Sequence, residues 1–109
     1  MKHVKHYESI INEEPQMGYY VLMRSSLHLD KYTEETVNFI NNTIGQIIND
    51  YTNERNIEKN VYVKYENVPI KLKKTFQNNA RMYKYSQIVY CSKNKEDIEA
   101  IFASNKYNL

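Results

Sequence analysis

Nine of the fifteen lysines and arginines in this chain fall between residues 59 and 95, accompanied by a single acid, Glu66. That stretch therefore carries +8, while residues 1–58 carry −4, residues 96–109 carry −2 and the 109-residue chain as a whole carries +2. Aromatic rings are threaded through the same stretch: Tyr62, Tyr65, Phe76, Tyr83, Tyr85 and Tyr90 are interleaved with Lys64, Lys71, Lys73, Lys74, Arg81 and Lys84. Clustered cations attract polyanions, and rings among them offer surfaces on which unpaired bases stack. The chemistry on offer is binding. Lys64, Lys71, Lys73, Lys74, Arg81 and Lys84 are the candidate phosphate contacts, with Tyr62 and Tyr83 as candidate stacking platforms. The same residues also suit a purely structural role, because Tyr covers the margin of a small core and Lys guards an exposed edge strand.

A sheet that exposes Tyr beside Lys is the arrangement RNA-binding sheets use. The specific signatures are missing here: there is no Gly-aromatic motif of the RNA-recognition type, no KH loop and no zinc-finger spacing.

Other chemistries are poorly provided for. His3 and His6 form one pair and His28 with Asp30 another, but a metal site needs three or four converging donors and neither pair is completed locally. The lone Cys91 excludes an internal disulfide and a multi-thiolate zinc site; with Tyr90 and Ser92 beside it and no base, it reads as a small buried hydrophobe. Gly18 and Gly45 are isolated, so no phosphate-cradling loop exists. Metal-independent RNA cleavage needs a general base, a general acid and cations at the scissile phosphate. His28, Arg24, Tyr62, Lys64 and Arg81 carry such groups, yet nothing in their spacing makes them meet. No catalytic residue, metal or cofactor is assigned.

Three functions follow from these residues. The first is a small nucleic-acid-binding protein of a regulatory kind. The second is a binding or inhibitory protein that recognises an acidic protein partner, as small proteins of viruses and mobile elements do; fourteen Asn with abundant Lys, Ile and Tyr match the usage of an AT-rich genome. The third is the ribonuclease. A homodimer formed through an open sheet edge is compatible with the first two. The amino terminus lacks the apolar core of a secretory signal and no run of about 18 apolar residues spans a membrane, which places the chain in the cytoplasm of a cell or of an infected host.

The elements that must position these side chains are read from hydrophobic period. Val4, Tyr7 and Ile11 suggest a short helix ended by Pro15. Tyr19 to Leu29 alternates as a strand. Val37, Ile40, Ile44, Ile47, Ile48 and Tyr51 recur at helical spacing, predicting a long helix from Asp30 or Thr33 to about residue 55, with Glu34 and Glu35 at its positive end. Val61, Val63 and Tyr65 alternate with Tyr62, Lys64 and Glu66 in a second strand, continued past Asn67 by Val68, Ile70 and Leu72, where Pro69 puts the continuation at an edge or after a bulge. Residues 71–83 fit a helix or, through Asn78 and Asn79, a turn. Tyr85 to Cys91 reads as a third strand, and Asn94 opens a last helix with Ile98, Ile101 and Phe102 facing inward.

The expectation is one α+β domain over residues 1–109 in the order (α)βαββα, with about three strands and helices on one face. This resembles part of a ferredoxin-like, split βαβ arrangement without a final strand. The other face of the sheet is then open, and Arg24, His28, Tyr62 and Lys64 are positioned to share it.

Overall fold

The computed structural model describes residues 14–26, 33–52 and 59–107. Their secondary structure runs β1 (Tyr20–Met23), α1 (Glu34–Asn42), β2 (Ile44–Thr52), β3 (Lys59–Lys64), β4 (Ala80–Lys84), β5 (Ile88–Ser92) and α2 (Lys95–Tyr107), with single 3-10 turns at Ile70–Leu72 and Tyr85–Gln87. All five strands join one antiparallel sheet in the order β4-β3-β2-β1-β5. The α+β class stands, but the sheet has five strands instead of three and its order is not the ferredoxin-like one.

The largest departure lies between residues 34 and 52. One long helix was expected there; the chain instead forms α1, breaks at Thr43 and continues as β2. The helical spacing of Ile44, Ile47, Ile48 and Tyr51 comes from apolar residues on both faces of the strand, Ile44 opposite Leu22 on the outer side and Ile47 in the core, together with a bulge. Ile47 pairs with Val63 and Asn49 with Tyr62, leaving Ile48 as the extra residue, so two apolar neighbours interrupt the period of two. The β-branched residues after Asn42 also favour strand over helix. The shorter helix begins as expected: Thr33 accepts a hydrogen bond from the Thr36 amide at 3.3 Å, with Glu34 and Glu35 in the first turn.

Alternation then sorts the side chains onto two faces. Val21, Met23, Gly45, Ile47, Val61, Val63, Tyr83 and Cys91 point to one of them, where α1 supplies Ile40 and Phe39. The segment after β3 folds over this same face, burying Tyr65, Val68, Leu72 and Phe76. Rings of Phe39, Tyr65 and Phe76 meet edge-on with centroids 5.2–5.5 Å apart. The expected edge strand at Val68–Leu72 is absent because Pro69 opens a 3-10 turn, its carbonyl accepting from the Leu72 amide at 2.9 Å. Residues 77–80 resolve to the turn reading: Asn78 and Asn79 both have positive φ, 54° and 63°, and the Ala80 amide returns to the Gln77 carbonyl. Two consecutive left-handed residues match a two-residue hairpin of the primed type, which Asn tolerates better than most side chains.

Helix α2 packs on the opposite face, over β5, β1 and the near end of β2. Ile98 and Ile101 are buried beneath it and Phe102 half-buried, as their spacing predicted. Ser92 ties the helix to the sheet: its hydroxyl donates to Asp97 at 2.9 Å and accepts the Asn94 amide at 3.1 Å. The two described helices thus lie on opposite faces, not on one. No helix among the described residues is long and apolar enough to cross a membrane.

Candidate nucleic-acid interface

Because α2 covers only the β5-β1-β2 side, the outer face of β3 and β4 is left without a helix among the described residues. Tyr62 occupies its centre. Across the sheet its neighbours are Asn49 on β2 and Met82 on β4, the latter 48% exposed. Lys64 lies two residues along β3 on the same face, beside Gln46 and Ala80. Lys84 sits at the far end of β4 opposite Asn60. Both lysines are exposed and Tyr62 is half-buried, its ring in contact with no other aromatic ring among the described residues. At about 3.4 Å per residue the two lysine positions are separated by roughly 14 Å along the strands, with Tyr62 and Met82 between them.

The remaining sequence candidates are placed elsewhere. Tyr83 is 2% exposed and faces the core, where its hydroxyl accepts from Tyr65 at 2.9 Å. It offers no face for a base to stack on. Arg81 stands on that same core side, opposite Val63, with its guanidinium 4.7 Å from the centre of the Tyr83 ring. Its cation is engaged by an intramolecular aromatic contact. Lys71, Lys73 and Lys74 are exposed, but they ride on the segment whose Leu72 and Phe76 dock beside α1. They therefore belong to the side of the sheet opposite Tyr62. The candidate phosphate contacts do not converge on one surface: Lys64 and Lys84 lie on the open β3-β4 face, Arg81 on the core side, and Lys71, Lys73 and Lys74 on the loop that covers the core.

Arg24 is exposed just beyond the end of β1, held by reciprocal bonds between its backbone and Gln87 at 2.8 and 3.2 Å, and so does not join Tyr62 and Lys64. His3, His6, His28 and Asp30 lie outside the described residues, as does the short helix expected near the amino terminus. Of the other groups weighed for RNA cleavage, Arg24 and Arg81 stand away from the Tyr62 face. Cys91 is buried on β5.

Two tyrosines outside the open face are electrostatically perturbed. Burial, reinforced by the facing Tyr83 hydroxyl, holds the Tyr65 phenol well above its ordinary range despite the opposing pull of Arg81. Tyr85 is raised as well, first by burial and then by the hydrogen bond its hydroxyl donates to Asp50 at 2.7 Å. Both remain neutral phenols at physiological pH and serve the frame.

Met82 and Gln46 are the parts of this face that sequence reasoning missed. The period of two in β3 already placed Tyr62 with Lys64. Their neighbours depend on strand order, which no local signal encodes. No protein-family model, no curated protein and no solved structure matches the chain.

Proposed function

We propose that this protein binds single-stranded nucleic acid on the outer face of β3 and β4, with a base stacked on Tyr62 and flanking phosphates held by Lys64 and Lys84. The observation that carries the reading is the position of Tyr62: a half-buried tyrosine at the centre of a sheet face that no described helix covers, with an exposed lysine toward each end. Stacking of bases on such rings contributes about 1–3 kcal/mol each and tolerates any sequence, while the lysines add an electrostatic part that salt weakens. A double helix presents no unstacked base, so single strands are preferred.

The test is fluorescence anisotropy of labelled single- and double-stranded DNA and RNA at several salt concentrations. Saturable binding is expected, with single strands ahead and a log–log salt slope near −0.7 for each phosphate engaged. Tyr62→Ala should weaken it by roughly 5- to 150-fold, the equivalent of one lost stacking contact. Absence of binding at low salt would sink the proposal.

A second reading rests on β4, an edge strand among the described residues that carries the exposed Met82 and Lys84 on one face. An acidic extended segment of a protein partner suits that edge, its backbone pairing with β4 and a carboxylate meeting Lys84. A stoichiometric protein complex that survives nuclease treatment, with no oligonucleotide binding, would favour it.

A further inference from the structure

Row by row across the outer face, Tyr20, Gln46 and Lys64 stand side by side on β1, β2 and β3. Immediately beyond them, α2 and the start of the β3-β4 connection rise to form a groove of about 660 Å³. That volume lies within the range of pockets that hold small organic ligands.

The groove has a repeated charge arrangement. One wall carries Lys64 at the end of β3 and Glu66 just after it, and the helical wall carries Lys95 and Glu99. Lys95, Glu99 and Phe102 fall at intervals of four and three residues, so they share one stripe of α2. Tyr20 and Phe102, both half-buried, supply the aromatic surface. None of the four charged side chains forms a hydrogen bond or ion pair among the described residues. Both signs of charge thus remain available to an incoming molecule, next to two rings.

We infer that this groove receives one nucleobase bearing an exocyclic amino group, cytosine above thymine, with Glu66 and Glu99 accepting from the amine and Lys64 and Lys95 holding the adjoining phosphate. The inference rests on the proposed single-strand binding and extends it from Tyr62 through Lys64, the residue common to the open face and the groove. Carboxylates near a polyanion oppose binding unless a donor meets them. Their presence therefore favours selectivity over affinity. Cytosine N4 is a donor that Glu is suited to accept from, while thymine carries a carbonyl at the same position and repels it. Because both glutamates are exposed, water competes for them and discrimination falls at the low end of what such a contact achieves.

The experiment compares oligodeoxycytidine with oligothymidine of equal length by anisotropy, using the full chain and a Glu66→Ala/Glu99→Ala variant. The wild type should prefer the cytidine strand by about 5-fold or more, the lower limit of one good base contact. In the variant that ratio should fall toward one, while affinity for the thymidine strand holds or rises because two negative charges are gone. A thermal melt of the variant checks that it folds; if it does not, Glu99→Ala alone carries the same expectation in weaker form. Equal wild-type affinities for both strands would overturn the groove assignment and leave Tyr62 binding intact. A preference that persists unchanged in the folded variant would overturn it too. If neither strand binds, the proposed function falls and the groove assignment with it.

Discussion

The Tyr65 hydroxyl donates to the Tyr83 hydroxyl at 2.9 Å inside the core, joining the segment that follows β3 to β4 near its end. The two rings meet nearly perpendicular, 6.5 Å between centroids, and Arg81 covers the Tyr83 ring. Two tyrosines of the basic stretch are thereby committed to the frame, as Tyr85 is through Asp50, while the alternation of β3 keeps Tyr62 on the outer face. The bond gives the interior a polar contact that must be satisfied on both sides, and its partners come from elements 18 residues apart.

Tyr65→Phe removes the donor and should cost about 1 kcal/mol or somewhat more; a double-mutant cycle with Tyr83→Phe should return a coupling of similar size. The pH dependence follows from the direction of the shifts. Tyr65 and Tyr85 titrate higher in the folded protein than the value near 10 expected of an unfolded chain. Above about pH 10 the unfolded state therefore holds fewer protons than the native one, and stability falls as pH rises; below it these groups contribute no slope. Denaturant melts from neutral pH to pH 12 should display that alkaline loss, shallower in Tyr65→Phe. A flat alkaline profile in the wild type would contradict the buried neutral phenols.

Gly45 has a packing role with a measurable consequence. A β-carbon built there overlaps Val63 Cγ1 and comes within 3.0 Å of Tyr65 Cε1 and 3.1 Å of the Lys64 carbonyl oxygen. The carbonyl belongs to backbone and cannot swing aside, so Gly45→Ala must separate β2 from β3 or displace Tyr65. A loss of about 1–3 kcal/mol is expected, comparable to overpacking a core. Urea unfolding measures it directly. A neutral or stabilising result would mean that β2 and β3 are not seated as closely as these distances require.

These residues also explain what could be read ahead of the structure. Strand β3, the capped start of α1 and the inward stripe of α2 were legible because each carries its own period and its own terminal signals. Strand β2 was not, since apolar residues on both of its faces and the bulge at Ile48 together imitate a helical period, and Gly45 reads the same in either. The candidate surface was half legible. Sequence placed Tyr62 beside Lys64, but it also grouped them with Tyr83, Arg81 and the lysines at 71, 73 and 74. Separating those required knowing that Leu72 and Phe76 return to the α1 side of the sheet. That fold-back depends on tertiary burial between segments distant in sequence, which the local pattern does not encode.

The division of the basic residues gives the sharpest test of where a polyanion lies. Lys71, Lys73 and Lys74 account for more charge than Lys64 and Lys84, so net charge alone ranks their loss as the more damaging. Position ranks them the other way. At about 0.15 M salt, fields from exposed charges are largely screened beyond roughly 8 Å, so lysines across the sheet contribute little to a strand held on the Tyr62 face. Lys64→Ala/Lys84→Ala should therefore weaken oligonucleotide binding at least about tenfold and reduce the salt slope by about 1.4, two phosphate contacts at 0.7 each. Lys71→Ala/Lys73→Ala/Lys74→Ala should change affinity by less than about threefold under the same screening. All five side chains are exposed, so both variants should keep the wild-type melting behaviour. If the triple variant loses the greater affinity, the polyanion sits on the loop side of the molecule, and Tyr62 does not contact it.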